Sequence, residues 1–249
     1  MIRFILLAAA VTLASLSGAA AQSIPAHVAA AVANPARPAS DKDVDSIRKP
    51  AETVAFAGIK PGDRVIDLMP GRGYFTRVFS GVVGPKGHVY AVVAEEMSRK
   101  STKGIDAMTE LAKDPAFGNV TAMMQPMSGF KVQGPVDVVW TSLNYHDLHI
   151  KGLGVDIKGF NKAAFDALKP GGVYIVLDHA AAPGSGLRDT ETLHRIDPAA
   201  VKAEAEAAGF VLEASSDLLA EPGDPHTGKV FDADVRGKTD KFIYKFRKK

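Results

Sequence analysis

The chain has no cysteine among its 249 residues and only one tryptophan. Without cysteine there is no disulfide framework, no thiolate metal site, no cysteine nucleophile and no lipidated-cysteine anchor. A charge excess of one sign is also missing: 30 Lys and Arg face 28 Asp and Glu, a net charge of +2. A general nucleic-acid binder usually carries a basic face, so nucleic acid is not an expected partner. The basic cluster of Lys245, Arg247, Lys248 and Lys249 reads as a solvated strand end. No internal repeat is evident, and no apolar run reaches the roughly 20 residues that span a bilayer. What is present is globular: 46% of the residues are hydrophobic and 23% charged, enough to bury a core.

The N-terminus has the pattern of an export signal. Arg3 precedes the apolar run Phe4 to Leu13, and the small-residue run Ala19-Ala20-Ala21 supplies a cleavage site. We therefore expect a signal peptide over 1–21, a periplasmic or secreted product, and no stable membrane insertion after cleavage. An uncleaved anchor is the other reading. Residues 22–41 are Ala- and Pro-rich with little periodicity, which predicts a linker or arm. The rest, 42–249, reads as one domain.

Within that domain strands alternate with helices. A helix is expected over Asp43 to Ala57, with Pro50 kinking it or beginning a second one. Short apolar runs predict strands at Arg64 to Leu68, His88 to Val93, Val120 to Met124, Val136 to Leu143 and Val173 to Asp178. Helical spacing appears in Phe75, Val78, Phe79 and Val82, in Ile105, Met108 and Leu111, and in Phe160, Ala164, Phe165 and Leu168. Asp197-Pro198 is a helix start with Asp as cap. Two closing strands, Phe210 to Leu218 and Lys241 to Phe246, flank the long polar stretch 219–236. A stretch of that length is usually functional or disordered, and His226 and Arg236 in or beside it suit a lid. The alternation predicts an α/β fold with a mostly parallel sheet and helices on both faces.

The turn after the first strand carries most of the functional signal. It runs Asp67-Leu68-Met69-Pro70-Gly71-Arg72-Gly73 and opens a helix. Glycines there let a ligand approach bare backbone, and the helix start offers free N–H groups. A tight structural turn is the plainer alternative. The segment resembles motif I of class I S-adenosylmethionine-dependent methyltransferases, an acidic residue followed by three spaced glycines. Asp67, Gly71 and Gly73 match, while Met69 replaces the first glycine. Leu168-Lys169-Pro170-Gly171-Gly172 resembles the post-motif of the same family, and the resemblance spans about 50–248. Asn144-Tyr145-His146-Asp147 and Leu193-His194-Arg195-Ile196-Asp197 are similar to segments in a group of bacterial, signal-bearing methyltransferases.

The resemblance implies a Rossmann-like methyltransferase fold: a seven-stranded, mostly parallel sheet with an antiparallel closing strand. It also implies S-adenosylmethionine as cofactor, with Asp67, Met69, Gly71, Gly73 and Asn144 in its site. In the family an acidic residue ending strand two holds the ribose. That position falls on Val93 here, so Glu95 or Glu96 takes the role if the strand end bulges.

Polar residues also gather at the ends of strands four and five. Tyr145, His146 and His179 are candidates to deprotonate or orient an acceptor, because histidine titrates near working pH. Capping of strands and helices is the bland alternative for each. His146, Asp147, His149, Asp178, His179 and His194 are metal-ligand types, but no tight signature such as H-E-x-x-H occurs and no metal is assigned. Arg195 either binds an acidic substrate or anchors its loop. The leading reading is methyl transfer to a small or medium acceptor molecule. The alternative is an exported, non-catalytic ligand-binding protein of the same fold, since this cofactor is made in the cytosol. A nicotinamide dehydrogenase is disfavoured because the turn lacks the G-x-G-x-x-G spacing.

Overall fold

The computed structural model describes residues 23–249, so the expected signal peptide lies outside the described residues. Four short helices come first: α1 (Ala26–Val32), α2 (Ala39–Lys42), α3 (Asp45–Arg48) and α4 (Pro50–Ala57). The alternating part follows as β1 (Arg64–Leu68), α5 (Tyr74–Val83), β2 (His88–Ala94), α6 (Glu95–Ser98), α7 (Lys103–Lys113) and β3 (Val120–Gln125). It continues through β4 (Val136–Ser142), α8 (Ile157–Ala167), β5 (Leu168–His179) and α9 (Pro198–Ala207), and closes with β6 (Val211–Ser216) and β7 (Lys241–Arg247).

The seven strands form one sheet in the order β3-β2-β1-β4-β5-β7-β6. The first five pair in parallel, and β7 runs antiparallel to both β5 and β6. Strand order reverses between β1 and β4, and in open α/β sheets that crevice at the carboxyl ends takes the ligand.

The central strands are apolar almost throughout because both faces are covered. Successive residues go to opposite sides. Val65, Trp140 and Ile175 join the core under α1, α4, α5 and α7, whereas Ile66, Val139 and Val176 join the core under α8 and α9. Trp140 packs between Phe75 and Phe79, with ring centroids 4.9 and 5.0 Å away.

Two expectations are corrected and one choice is resolved. Residues 23–41 do not form a loose arm. α1 buries Val28 and Ala31 on α5, and the approach is so close that a Cβ on Gly81 would meet the Ala31 Cβ at 2.9 Å. Of the two readings for Asp43 to Ala57, a kink or a second helix at Pro50, the structure has the second: α3 ends at Arg48, Lys49 is left-handed at φ +43°, and Pro50 starts α4. β5 begins at Leu168 rather than Val173, because Leu168 pairs with Val136 across a register shift.

The N-terminal helices are tied down by a polar network. Arg37, fully buried at its side chain, donates to both carboxylate oxygens of Asp45 at 2.9 and 2.6 Å. Asp45 also accepts from the Tyr74 hydroxyl at 2.6 Å, at the first turn of α5. Arg48 lies 4.4 Å from the Tyr74 ring centroid. Arg37→Met removes the buried partner and is expected to cost about 2 kcal/mol in urea unfolding. A loss too small to resolve would mean that the segment before β1 contributes little to the fold.

Candidate functional site

The chain leaves β1 in the left-handed region. Met69 has φ +52°, Gly71 +60° and Gly73 +82°. A non-glycine residue pays roughly 1–2 kcal/mol for that conformation, so Met69 is held there by its neighbours. Its N–H donates to Val92 O at 2.8 Å, and the Asn144 amide donates to Met69 O at 2.9 Å and Leu68 O at 3.3 Å. Asn144 is itself held, as its Oδ1 accepts from Thr141. At the end of β4, Leu143 is also left-handed, at φ +58°. Strained non-glycine residues of this kind cluster at functional sites.

Two adjoining clefts open over these strand ends. The first, about 680 Å³, is walled by Met69, Pro70, Gly71, Arg72, Asn144 and Asp147 and roofed by Asp41 and Arg48 of the N-terminal helices. A Cβ on Gly71 would meet nothing within 4 Å, so a side chain there would project into open space. The second, about 450 Å³, is lined by apolar groups such as Phe75, Leu177 and Phe231, with His179, Arg236 and Lys241 among them. Ser142, Leu143, Val44 and Arg48 wall both clefts.

The candidate residues separate cleanly. Met69, Gly71 and Asn144 face the first cleft, and His179 faces the second. Gly73 is in neither lining; it caps α5, where a Cβ would meet Met108 Cε at 2.6 Å and Leu111 Cδ1 at 2.7 Å. Glu95 and Glu96 do not line a cleft either. β2 runs on to Ala94 without a bulge and α6 starts at once, so Val93 and Ala94 form that wall. Glu96 is buried and both its oxygens accept from the Met127 N–H, at 3.0 and 3.2 Å. Tyr145 is fully buried in the other direction. It donates to Glu204 at 2.7 Å and accepts from the Asn161 amide at 2.7 Å. The cause is the 3₁₀ turn after β4: residues three apart share a side, so Asn144 and Asp147 face the cleft while Tyr145 and Leu148 enter the core.

His146 sits beneath the clefts, buried between two carboxylates. Asp178 accepts from its backbone N–H and from its Nδ1–H, both at 2.8 Å, and Asp147 Oδ1 lies 3.3 Å from its Nε2. Burial pushes its pKa down, but Asp178 and Asp147 outweigh that and raise it to about 10. His146 is therefore cationic at neutral pH and is no general base in this state. His179 is the opposite case. Burial depresses its pKa to about 3 with help from nearby cations, so it is neutral, with Nδ1 hydrogen-bonded to Thr239 at 2.9 Å.

Sequence reasoning missed the roof from α2 and α3, because Asp41 and Arg48 reach the cleft only through tertiary packing. The alternative uses of Arg195 are resolved: it is fully buried and bonded to Asp224 (2.6 and 3.2 Å), Ala180 O (3.0 Å) and Gly228 O (2.9 Å). It anchors the stretch 219–236, which carries Phe231 and Arg236 to the second cleft.

Residues 21–176 match the family described as protein-L-isoaspartate(D-aspartate) O-methyltransferase. A ubiquinone/menaquinone biosynthesis C-methyltransferase of Vibrio cholerae is 32% identical over 149 residues, 57% of this chain and 52% of that protein. The chain thus spans about half the length of that curated relative. Among solved structures, an S-adenosylmethionine-dependent methyltransferase from Aquifex aeolicus superposes with a TM-score of 0.59 at 17% identity, covering 86% of this chain and 99% of that one. A glycopeptide N-methyltransferase in complex with S-adenosylmethionine gives 0.53 at 16% identity, covering 82% and 86%. These two likenesses establish the Rossmann-like methyltransferase fold.

Asp67 offers a direct test of the electrostatics at the turn. It is fully buried, accepts from Thr76 Oγ1 at 2.6 Å, and lines neither cleft. Burial raises its pKa to about 7 while the Thr76 bond opposes the rise. A folded-state pKa above the unfolded one contributes stability that is full below about 3.8 and lost as pH rises through 7. Asp67→Asn keeps the acceptor without the charge. Its stability advantage over the wild type should grow by about 2 to 3 kcal/mol between pH 5 and 8.5 in urea unfolding. A difference that stays constant over that range would contradict the assignment.

Proposed function

The chain belongs to the protein-L-isoaspartate(D-aspartate) O-methyltransferase family, and from that premise we propose that it transfers a methyl group from S-adenosylmethionine to a small, largely apolar acceptor bearing an anionic group. The observation that carries this reading is the pair of clefts meeting at Ser142 and Leu143, over the point where strand order reverses. Methyl transfer is an in-line displacement, so a donor and an acceptor held in adjoining clefts supply much of the rate by position alone.

The first cleft suits the donor. Gly71 leaves backbone accessible, and the wall carries both signs of charge, Asp41 and Asp147 against Arg48 and Arg72. That pattern complements a ligand with an ammonium, a sulfonium and a carboxylate. When bound, the cofactor supplies the electrophilic methyl group. Met69, Gly71 and Asn144 shape its bed, and Asp67 and Gly73 support the turn from behind.

The second cleft suits the acceptor. Its lining holds Arg48, Arg236 and Lys241 and no carboxylate. Apolar walls with cations at the edge select an apolar body with a negative end. His179, neutral in this setting, is placed to accept a hydrogen bond from the acceptor and orient it. The non-catalytic alternative finds no support among the relatives described above, each of which is named as a methyltransferase.

Isothermal titration of the protein with S-adenosylmethionine and S-adenosylhomocysteine tests the donor site. Both should bind, and Gly71→Asp should weaken binding at least about tenfold (about 1.4 kcal/mol). A folded wild-type protein that binds neither would overturn the reading. We also retain export after cleavage behind Ala21 as part of the proposal. The mature protein should then begin at Gln22 on N-terminal sequencing, and an intact Met1 on the protein recovered from its native cell would contradict it.

A further inference from the structure

Two of the motifs singled out in the sequence converge in space. His146 and Asp147 lie in the short turn after β4, and His194 lies in the loop between β5 and α9. Asp147 Oδ1 is 3.3 Å from His146 Nε2 and 3.2 Å from His194 Nδ1, and one donor atom from each residue falls within 4.8 Å of the others. We propose that His146, Asp147 and His194 form a binding site for a divalent first-row transition ion of the zinc type.

The geometry suits an ion as well as it suits the hydrogen bonds of the metal-free cluster. Bonds of about 2.0–2.1 Å from a tetrahedral zinc to its ligands place neighbouring donors about 3.3 Å apart, which matches both observed spacings. Two imidazoles and one carboxylate are a transition-metal donor set; magnesium and calcium prefer oxygen throughout.

The surroundings are also those of a ligand set. Asp178, fully buried, accepts from the Nδ1–H and the backbone N–H of His146 and so turns Nε2 toward Asp147. A carboxylate behind a histidine fixes the tautomer in the same way at metal centres. His194 is set from its other side, because the neighbouring Arg195 is locked to Asp224, Ala180 O and Gly228 O. His194 holds φ +55° in that loop.

In the metal-free state the oxygen of Asp147 accepts from both rings. The ion takes the place of those two ring protons: the one on His146 Nε2 leaves to solvent, the one on His194 Nδ1 moves to Nε2 by exchange with solvent, and each freed nitrogen donates its lone pair instead. Three protein ligands leave a position open, and Asp147, which stands in the wall of the first cleft, puts the ion beside that cleft. In that cleft, assigned above to the donor, the ion would hold an oxygen ligand such as the donor's carboxylate. Only this last role rests on the methyl-transfer reading; the site itself does not.

Cobalt(II) titration of the chelator-treated full chain tests the site without any assay of activity. The expected result is one equivalent bound with visible d–d absorption of a four- or five-coordinate ion. His194→Gln and Asp147→Asn should each weaken it at least about tenfold, with thermal unfolding showing that both variants remain folded. His226→Gln, whose ring bonds to Asp240 in the long stretch, should bind as the wild type does. No visible band, binding that survives both ligand-set variants, or an equal loss in His226→Gln would overturn the proposal.

Discussion

The amide of Asn144 donates to the carbonyls of Leu68 and Met69, tying the end of β4 to the turn that leaves β1. The two strands separate at this point, because β1 leads through α5 to one side of the sheet and β4 leads through α8 to the other. The crevice between them therefore exists for topological reasons, but its shape depends on that brace. It holds Met69 in a conformation a side chain normally avoids, and it lets Gly71 face the first cleft. The same turn places Gly73 where only a glycine can cap α5 against Met108 and Leu111.

Beneath this edge lies a layer of buried charge. Asp67, His146, Asp178, Arg195 and Asp224 are all nearly inaccessible to solvent. Taking charges out of water is costly unless each is paired. His146 lies between two carboxylates and Arg195 grips Asp224, while Asp67 has a hydroxyl partner and its raised pKa instead. The arrangement fixes the backbone after β4 and β5, which presents Asp147 to the first cleft and His179 to the second. Strain and buried charge are concentrated where ligands would bind, as expected when a site is preorganised at the expense of stability.

Much of the architecture was legible because it follows from local patterns. Apolar runs such as Val173 to Leu177 mark strands covered on both faces, and the spacing of Phe75, Val78, Phe79 and Val82 marks the buried face of α5. Gly71 and Met69 were legible as cleft residues because the turn itself carries them there. Tyr145 was not, since its direction is set by the 3₁₀ turn and differs from those of its neighbours Asn144 and His146. Glu95 and Glu96 looked available for a ribose only if β2 ended in a bulge, and the immediate start of α6 removes that route. Residues 23–41 have a linker's composition. Their fold rests on contacts far along the chain, with Ala31 against Gly81 and the Arg37–Asp45 pair joined to Tyr74. The meeting of His146, Asp147 and His194 is likewise invisible to any spacing rule, because β5 and a long loop separate its two halves.

The central claim is that donor and acceptor occupy two adjoining clefts that share the end of β4. A crystal structure of the protein with S-adenosylhomocysteine tests this most directly. The account predicts the ligand in the cleft walled by Met69, Gly71 and Asn144, with its sulfur at the Ser142–Leu143 border and turned toward His179. A ligand bound elsewhere, or one whose sulfur is closed off from the second cleft, would contradict it.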